Sequence, residues 1–331
     1  MRTIIDTDAT PQSAVVKTLA VDEESAGQRL DNFLMRHLKG VPKTHVYRII
    51  RTGEVRVNKG RASADTRLQM GDLVRMPPVR MSTPSVDTPI TPGREFPSLF
   101  EDDHLLAIDK PAGVAVHGGS GVSFGVIEQL RQARPGARML ELVHRLDRET
   151  SGVLLVAKKR SALTRLQDQF RDRHTGKTYL ALVKGQWPSH KKVIDLPLQR
   201  YLLPNGAGEG ERRVRIASPR DAQAQRAITL VRVSRLVGDF SLLEVTIKTG
   251  RTHQIRVHLA SQGYPIVGDD KYGDHGLNKH VAAEGLKRMF LHAWRLQFVH
   301  PQSGLSQSLQ ADLPPELQQF IDHVQPPPAP V

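Results

Sequence analysis

Six prolines fall between positions 77 and 97 (Pro77, Pro78, Pro84, Pro89, Pro92 and Pro97), too close together for a helix or a central strand to run through them. The chain must therefore fold as separate bodies on either side of that stretch. We divide the 331 residues into a flexible start at 1–24, a small module at 25–80, a linker at 81–98, a large module at 99–320 and a flexible proline-rich tail at 321–331. That length supports about two domains with sizeable cores.

In the small module Leu30, Phe33, Leu34 and Leu38 recur at helical spacing, and Val46, Ile49 and Ile50 do so after the start signal Pro42. Val55 to Asn58 alternates as a strand does, and Gly71 to Met76 reads as another. Between Ser25 and Ser85 twelve Lys or Arg stand against four acids, in a chain whose net charge is +13. Such an excess favours an anionic partner without naming it.

The large module mixes strands with helices. Leu105–Ile108 reads as a strand ending in the turn Lys110–Gly113, and Ser123 is a candidate cap for a helix carrying Phe124, Ile127 and Leu130. Ser161 is a candidate cap for a second helix with Leu163, Leu166 and Phe170 inward. Thr178–Val183 reads as a strand, and Leu243, Val245 and Ile247 alternate with Glu244, Thr246 and Lys248 as in a half-buried one. Strands grouped with a few helices point to an α+β class with a mixed or antiparallel sheet.

The chemistry concentrates in His144-Arg145-Leu146-Asp147-Arg148-Glu149-Thr150-Ser151-Gly152, which leads straight into the apolar run Val153–Val156. A carboxylate at the mouth of a buried strand is costly unless paired, and Arg145 and Arg148 are its nearest partners in sequence. A structural ion pair in a strand turn would satisfy the same pattern. The run resembles the H-R-L-D-x-x-T-S-G signature of the RluA-type pseudouridine synthases, and every fixed position is matched. The resemblance implies that Asp147 is the nucleophile through which uridine is rebuilt with a carbon–carbon glycosidic bond. His144 and Arg145 are candidate substrate contacts.

Two further segments carry the resemblance. Gly250-Arg251-Thr252-His253-Gln254-Ile255-Arg256-Val257-His258 is similar to the family's third motif, which implies that Arg256 forms the ion pair with the aspartate; a bidentate contact would keep Asp147 ionised. Arg251 is then expected to touch phosphate. Lys177-Thr178-Tyr179-Leu180-Ala181-Leu182-Val183 matches K-x-Y-x-A-x-V, which implies that Tyr179 stacks on the target base, with Lys177 beside it. Leu291 is expected to wall the other side of the pocket. The small module resembles an S4 (αL-type) RNA-binding domain, in which Arg29, Lys43, Arg48, Arg51, Arg56 and Lys59 would position phosphates. Within the family, Val116–Gly121, Leu38–Lys43 and Tyr47–Ile49 look most like the members that modify large-subunit (23S) ribosomal RNA near the peptidyl-transferase centre, free or in an assembling particle.

Other signals exclude more than they suggest. The chain has no cysteine, no apolar run of membrane-spanning length and no signal-peptide core, so it reads as cytoplasmic, with no membrane partner. His253 and His258 lack the carboxylate or thiolate company of a metal site, the isomerisation needs no cofactor, and a monomer is expected. Gly118–Gly121 fits no phosphate-loop pattern, and Gly206–Gly210 with Arg212, Arg213 and Arg215 reads as a flexible basic loop. The chain departs from its relatives at Arg220–Gln225, where a G-K-x-A-x-T-like segment is usual. Two other classes compete: a non-catalytic S4-type RNA-binding protein, and a retaining glycosidase or nucleosidase that would use Glu149 or Glu141 as its second acid.

Overall fold

The computed structural model describes residues 16–23, 25–38, 41–79, 91–118, 124–203, 211–218 and 220–324. The chain divides into two compact units, Met1–Ile90 and Thr91–Val331. Several expectations lie outside the described residues: the flexible start up to 15, the linker from 80 to 90, the cap at Ser123, Gly119–Gly121, Gly206–Gly210 and the tail from 325.

The first unit contains β1 (Lys17–Ala20), α1 (Leu30–His37), α2 (Lys43–Arg51), β2 (Arg56–Val57) and β3 (Leu73–Met76), with an antiparallel sheet in the order β1-β3-β2. The apolar spacing read from sequence becomes the core: Phe33 and Leu34 of α1 meet Val46 and Ile49 of α2 over Val74 and Met76 of β3. One correction concerns the start of the chain, where β1 pairs with β3 from Lys17 to Ala20 and Val21 is buried. Two apolar residues, Leu19 and Val21, are too short a pattern to register as a strand; β3 supplies the edge that orders them.

The second unit runs β4 (Ser98–Glu101), β5 (Leu105–Lys110), α3 (Val126–Ala133), β6 (Glu141–Leu142), β7 (Ser151–Ala157), α4 (Arg160–Arg171), β8 (Gly176–Lys184), β9 (Val193–Asp195), β10 (Leu198–Leu203), β11 (Glu211–Ile216), β12 (Ile228–Val237), β13 (Phe240–Ile247), α5 (Gln254–Ser261), α6 (His275–Ala283), β14 (Leu291–Val299), β15 (Ser306–Gln310) and α7 (Pro315–His323). Its sheet is ordered β4-β5-β7-β14-β8-β13-β12-β9, with β15 on β14 and β6 on β7, and every pair is antiparallel except β7 with β14. This is the mixed α+β sheet that the grouping of strands and helices predicts.

Strand β7 is buried along its whole length because both of its faces are covered. Val153 and Leu155 pack in one cluster with Leu163 and Leu166 of α4, while Leu154 and Val156 pack in another with Val126 and Leu130 of α3. A continuous apolar run is what such a strand requires. Neither expected serine cap is present among the described residues: α3 follows Gly125, whose N–H donates to Glu128 Oε2 at 2.8 Å, and Ser161 lies inside the first turn of α4, after an extended Lys159. The basic segment beyond position 210 is also ordered further than expected, since β11 pairs with β10 as a separate hairpin.

The parallel contact of β7 with β14 brings the motif loop into the middle of the sheet. Ser151 and Gly152 face His292 and Ala293, and Gly152 has φ +110°, with a Cβ at that position blocked by the Ala293 carbonyl. Gly113 also has a left-handed φ, +81°, but lies in open space. Gly113→Ala should therefore cost only the conformational penalty, about 1 kcal/mol. Gly152→Ala adds a backbone collision and should cost more than about 2 kcal/mol in urea unfolding; equal losses would show that the close approach is not a constraint.

Candidate active site

Asp147 lies in the loop between β6 and β7, where the Thr150 N–H donates to its carbonyl at 3.1 Å. This loop is clamped to the turn after β5. The Gly113 N–H donates to the Arg148 carbonyl at 2.9 Å, and the buried Lys110 Nζ donates to the carbonyls of Pro111 (2.8 Å), Val114 (2.8 Å) and Arg148 (3.1 Å). Burial pushes the Lys110 ammonium down to about 7, while three carbonyl acceptors favour its charged form.

Arg256, in the first turn of α5, reaches the carboxylate from the other side. Its Nη1 is 3.5 Å from Asp147 Oδ2. The expected pairing is present, but its geometry differs from the sequence reading. The bidentate contact goes to Asp269, with Nε to Oδ2 at 2.7 Å and Nη2 to Oδ1 at 2.6 Å, while Asp147 receives one long contact from the remaining nitrogen. The neighbours Arg145 and Arg148 are not the partners of Asp147 either: Arg145 is exposed, and Arg148 pairs with Glu149 at 3.1 Å and donates to the Gly113 carbonyl at 3.2 Å. A guanidinium next to an acid in sequence is turned away by the loop's own backbone, and the neutralising charge comes from a distant helix.

Asp269 is the functional residue that sequence reasoning missed. It is 1% exposed and also accepts the N–H groups of Lys271 (2.9 Å) and Tyr272 (3.1 Å). Burial by itself would raise its carboxyl; the Arg256 hydrogen bonds and charge, with those two N–H donors, hold it below the usual carboxylate range. Burial would likewise lower Arg256, but its bonds to Asp269 and the charges of Asp269 and Asp147 raise it. The available signal was Gly268-Asp269-Asp270-Lys271-Tyr272-Gly273, two acids and a tyrosine bracketed by glycines.

The start of α5 is built by Gln254, whose amide accepts from Thr249 Oγ1 (2.8 Å) and donates to the Ile228 carbonyl (3.0 Å) and Thr229 Oγ1 (3.0 Å). His253, left-handed at φ +50°, precedes it. The His253 Nδ1 is 2.8 Å from the Tyr272 hydroxyl, which itself accepts the Val214 N–H at 3.0 Å. The hydroxyl proton is then free to bond Nδ1, which leaves the Nε2–H facing Asp147 Oδ2 at 3.9 Å.

Asp147, His253, Gln254 and Arg256 line a cleft of about 1050 Å³ that also takes in Tyr179 and Leu291, both on its wall as expected. The Tyr179 hydroxyl has no hydrogen-bond partner among the described residues, and burial, then the charge of Asp147, raises its pKa. The aromatic face is therefore offered as a neutral phenol. Lys177, Arg145 and Arg251 also line the cleft, and Lys177 Nζ lies 5.3 Å from the Phe170 ring centre. His144 also lines the cleft and is firmly held. Its ring stacks on Phe170 at 4.7 Å, its Nε2 accepts the Leu155 N–H at 3.1 Å, and burial pushes its pKa down to about 3. Glu149 lines the cleft, whereas Glu141 is tied to Arg131 at 2.9 Å and is not part of that lining.

In the first unit, considered alone, Lys43, Arg48, Arg51 and Lys59 are exposed and Arg56 is half-buried. Arg29 differs from its expected phosphate role, because its guanidinium is committed to Asp31 at 3.1 and 2.7 Å. Among the described residues no group of three or more acids and histidines is placed to hold a metal ion, and no helix is long and apolar enough to cross a membrane.

Two predictions follow from this geometry. Asp269→Ala strands a buried guanidinium and should destabilise the protein by about 3–5 kcal/mol in denaturant melts, whereas Asp147→Asn should shift stability far less. The second concerns pH. His292, between Ser151 Oγ (2.8 Å) and the Ala311 carbonyl (3.1 Å), is pushed by burial to about 4, so it and His144 stay neutral where an unfolded chain binds protons. The unfolded state takes up protons first, and stability should fall as pH drops from about 6.5 toward 4. His292→Gln should flatten that slope, and an unchanged slope would contradict the assignment.

Comparison with known proteins identifies both domains of the chain. The RNA pseudouridylate synthase family profile matches residues 104–261, and the S4 domain profile matches residues 28–74. A ribosomal large subunit pseudouridine synthase C from Pasteurella multocida (strain Pm70) is 49% identical over 311 residues, covering 92% of this chain and 93% of its own. The Escherichia coli (strain K12) protein of the same name is 48% identical over 306 residues, covering 90% and 93%. Among solved structures, human RNA pseudouridylate synthase domain containing 4 superposes with a TM-score of 0.56 at 26% identity, over 70% of this chain and 95% of its own.

Proposed function

The chain belongs to the RluA-type RNA pseudouridine synthases, and we propose that it isomerises uridines of large-subunit (23S) ribosomal RNA with Asp147 as its nucleophile. The observation that carries the role of Asp147 is its place in the cleft, held 3.5 Å from a buried guanidinium between the walls of Tyr179 and Leu291. The substrate reading is supported by the relatives' identity along nine-tenths of this chain.

The reaction breaks the bond from C1′ to N1, turns the uracil, joins C5 to C1′ and moves the C5 proton off the ring while N1 gains one. Substrate and product are isomers, so neither oxidant nor energy source enters. The carboxylate supplies the attack, and the single Arg256 contact leaves it 28% exposed. A uridine must leave its helix to reach Asp147. That costs a few kcal/mol in paired RNA and less in loops, offset by stacking on Tyr179 and by phosphate contacts from Arg251 and Arg145 at the rim. The first unit adds salt-dependent affinity through Lys43, Arg48, Arg51 and Lys59. The setting this reading implies is the bacterial cytoplasm, with the protein acting as a monomer.

A glycosidase or nucleosidase reading would require Glu149 as a proton donor and would release a free base. The deciding experiment maps pseudouridine, nucleotide by nucleotide, in unmodified large-subunit RNA after incubation with wild-type protein and with Asp147→Asn. New sites near the peptidyl-transferase centre, formed by wild type alone, are expected, with product lost at least about 10³-fold in the variant. Free uracil in place of pseudouridine would favour the hydrolase, and equal product from both proteins would remove Asp147 from the chemistry.

A further inference from the structure

A second cavity, of about 250 Å³, adjoins the catalytic cleft. Arg200, Arg251 and Thr252 line both spaces, so the two meet along one shared wall. Beyond that wall the small cavity is lined by three glutamines, Gln199, Gln223 and Gln225, over the buried Leu198 and Val214. Two of the glutamines come from Arg220–Gln225, the stretch where the sequence departs from its relatives' pattern. The active-site chemistry gives them no task.

The backbone fixes the main chain that carries these amides. Gln225 exchanges both main-chain hydrogen bonds with Leu198 at 2.9 Å, which fixes it against the start of β10. The turn carrying Gln223 is tied by Asp221, whose side chain accepts the Ser218 N–H at 3.0 Å and whose carbonyl accepts the Ala224 N–H at 2.9 Å. Gln199 Oε1 accepts from Arg215 at 3.2 Å, which leaves its amide donors uncommitted. The side chains of Gln223 and Gln225 have no hydrogen-bond partner among the described residues. On the shared wall, Arg200 Nη2 donates to Thr252 Oγ1 at 2.8 Å and Arg251 Nε to the Arg226 carbonyl at 3.4 Å. Each guanidinium keeps further N–H groups free.

We propose that this cavity is a subsite for the nucleotide adjoining the target uridine. Arg200 and Arg251 hold the phosphate between the two nucleotides, and the glutamine amides bond the edge of the neighbouring base. The inference rests on the RNA reading above. Single-stranded RNA is recognised by splayed bases whose edges need both donors and acceptors, and a primary amide offers both within one group. Two guanidinium groups on the dividing wall suit a bridging phosphate, and the apolar floor suits a base face. Because an amide can present either end, the subsite accepts more than one base.

The test uses short RNAs carrying one mapped target uridine, either intact or with an abasic nucleotide on its 5′ or its 3′ side. Wild type and the double variant Gln223→Ala/Gln225→Ala are compared by kcat/KM for pseudouridine formation. Wild type should lose about tenfold when one particular flank is abasic, the size expected for one or two neutral hydrogen bonds. The variant should start about tenfold lower on intact RNA and show no further loss with the same abasic flank. A variant as sensitive as wild type, or a wild type indifferent to both flanks, overturns the subsite. Absence of product from wild type on intact RNA would overturn the underlying function instead, so the two failures are distinguishable. Unchanged thermal melting of the variant identifies the loss as one of recognition.

Discussion

One buried guanidinium sets the terms for the rest of the site. Arg256 is 3% exposed, and a cation so placed is tolerable only if its charge is matched and its donors are used. Asp269 does most of this with two short bonds, and Asp270, largely in solvent, adds a third contact at 3.4 Å. Asp147 receives what is left. A bidentate lock would have tied up both of its oxygens and made it a structural anion. A single 3.5 Å contact gives it the field of the cation while leaving it 28% exposed to the cleft. The proposed nucleophile is thus paired without being immobilised, because a different aspartate carries the cost of keeping the arginine buried.

The same division of labour explains why the loop can be positioned so firmly. Lys110 draws three carbonyls around one buried ammonium, and one of them belongs to Arg148, the residue after Asp147. The catalytic loop is thereby fixed through its backbone, and Gly152 admits the close approach of β14 that brings Leu291 to the cleft. Backbone constraints set where Asp147 sits, and the side chains of Arg256 and Asp269 set what it is paired with. Each can be altered separately.

Much of this was legible in the sequence, for identifiable reasons. The motif around Asp147, the Arg256 segment and the Tyr179 strand are each local patterns, and the apolar periods of α1, α2 and β7 translate directly into core. What could not be read are interactions whose partners lie far apart. Asp269 has no local signature that marks it as Arg256's main partner, so the bidentate contact was assigned to the acid already in view. Arg148 sits beside Asp147 in sequence and points elsewhere because the loop's hydrogen bonds turn it toward Gly113. Strand β1 exists only because β3 offers it an edge, and the role of Arg29 changes because Asp31, two residues on, captures it.

The basic character of the chain raises a problem that the geometry helps to resolve. Phosphate contacts supply affinity to any RNA, and a protein with net charge +13 will meet many wrong ones. The proposed base-stacking groups would not discriminate either: Tyr179 and Leu291 offer faces, and every base has a face. Selection among uridines must then come from the cost of extruding the target, lower in loops than in helices, and from what the neighbouring nucleotides meet once it is extruded. Rim arginines hold the backbone without reading it. The proposed pocket of amides one nucleotide away would read an edge without demanding one base, and would still select against RNA that cannot splay two adjacent bases.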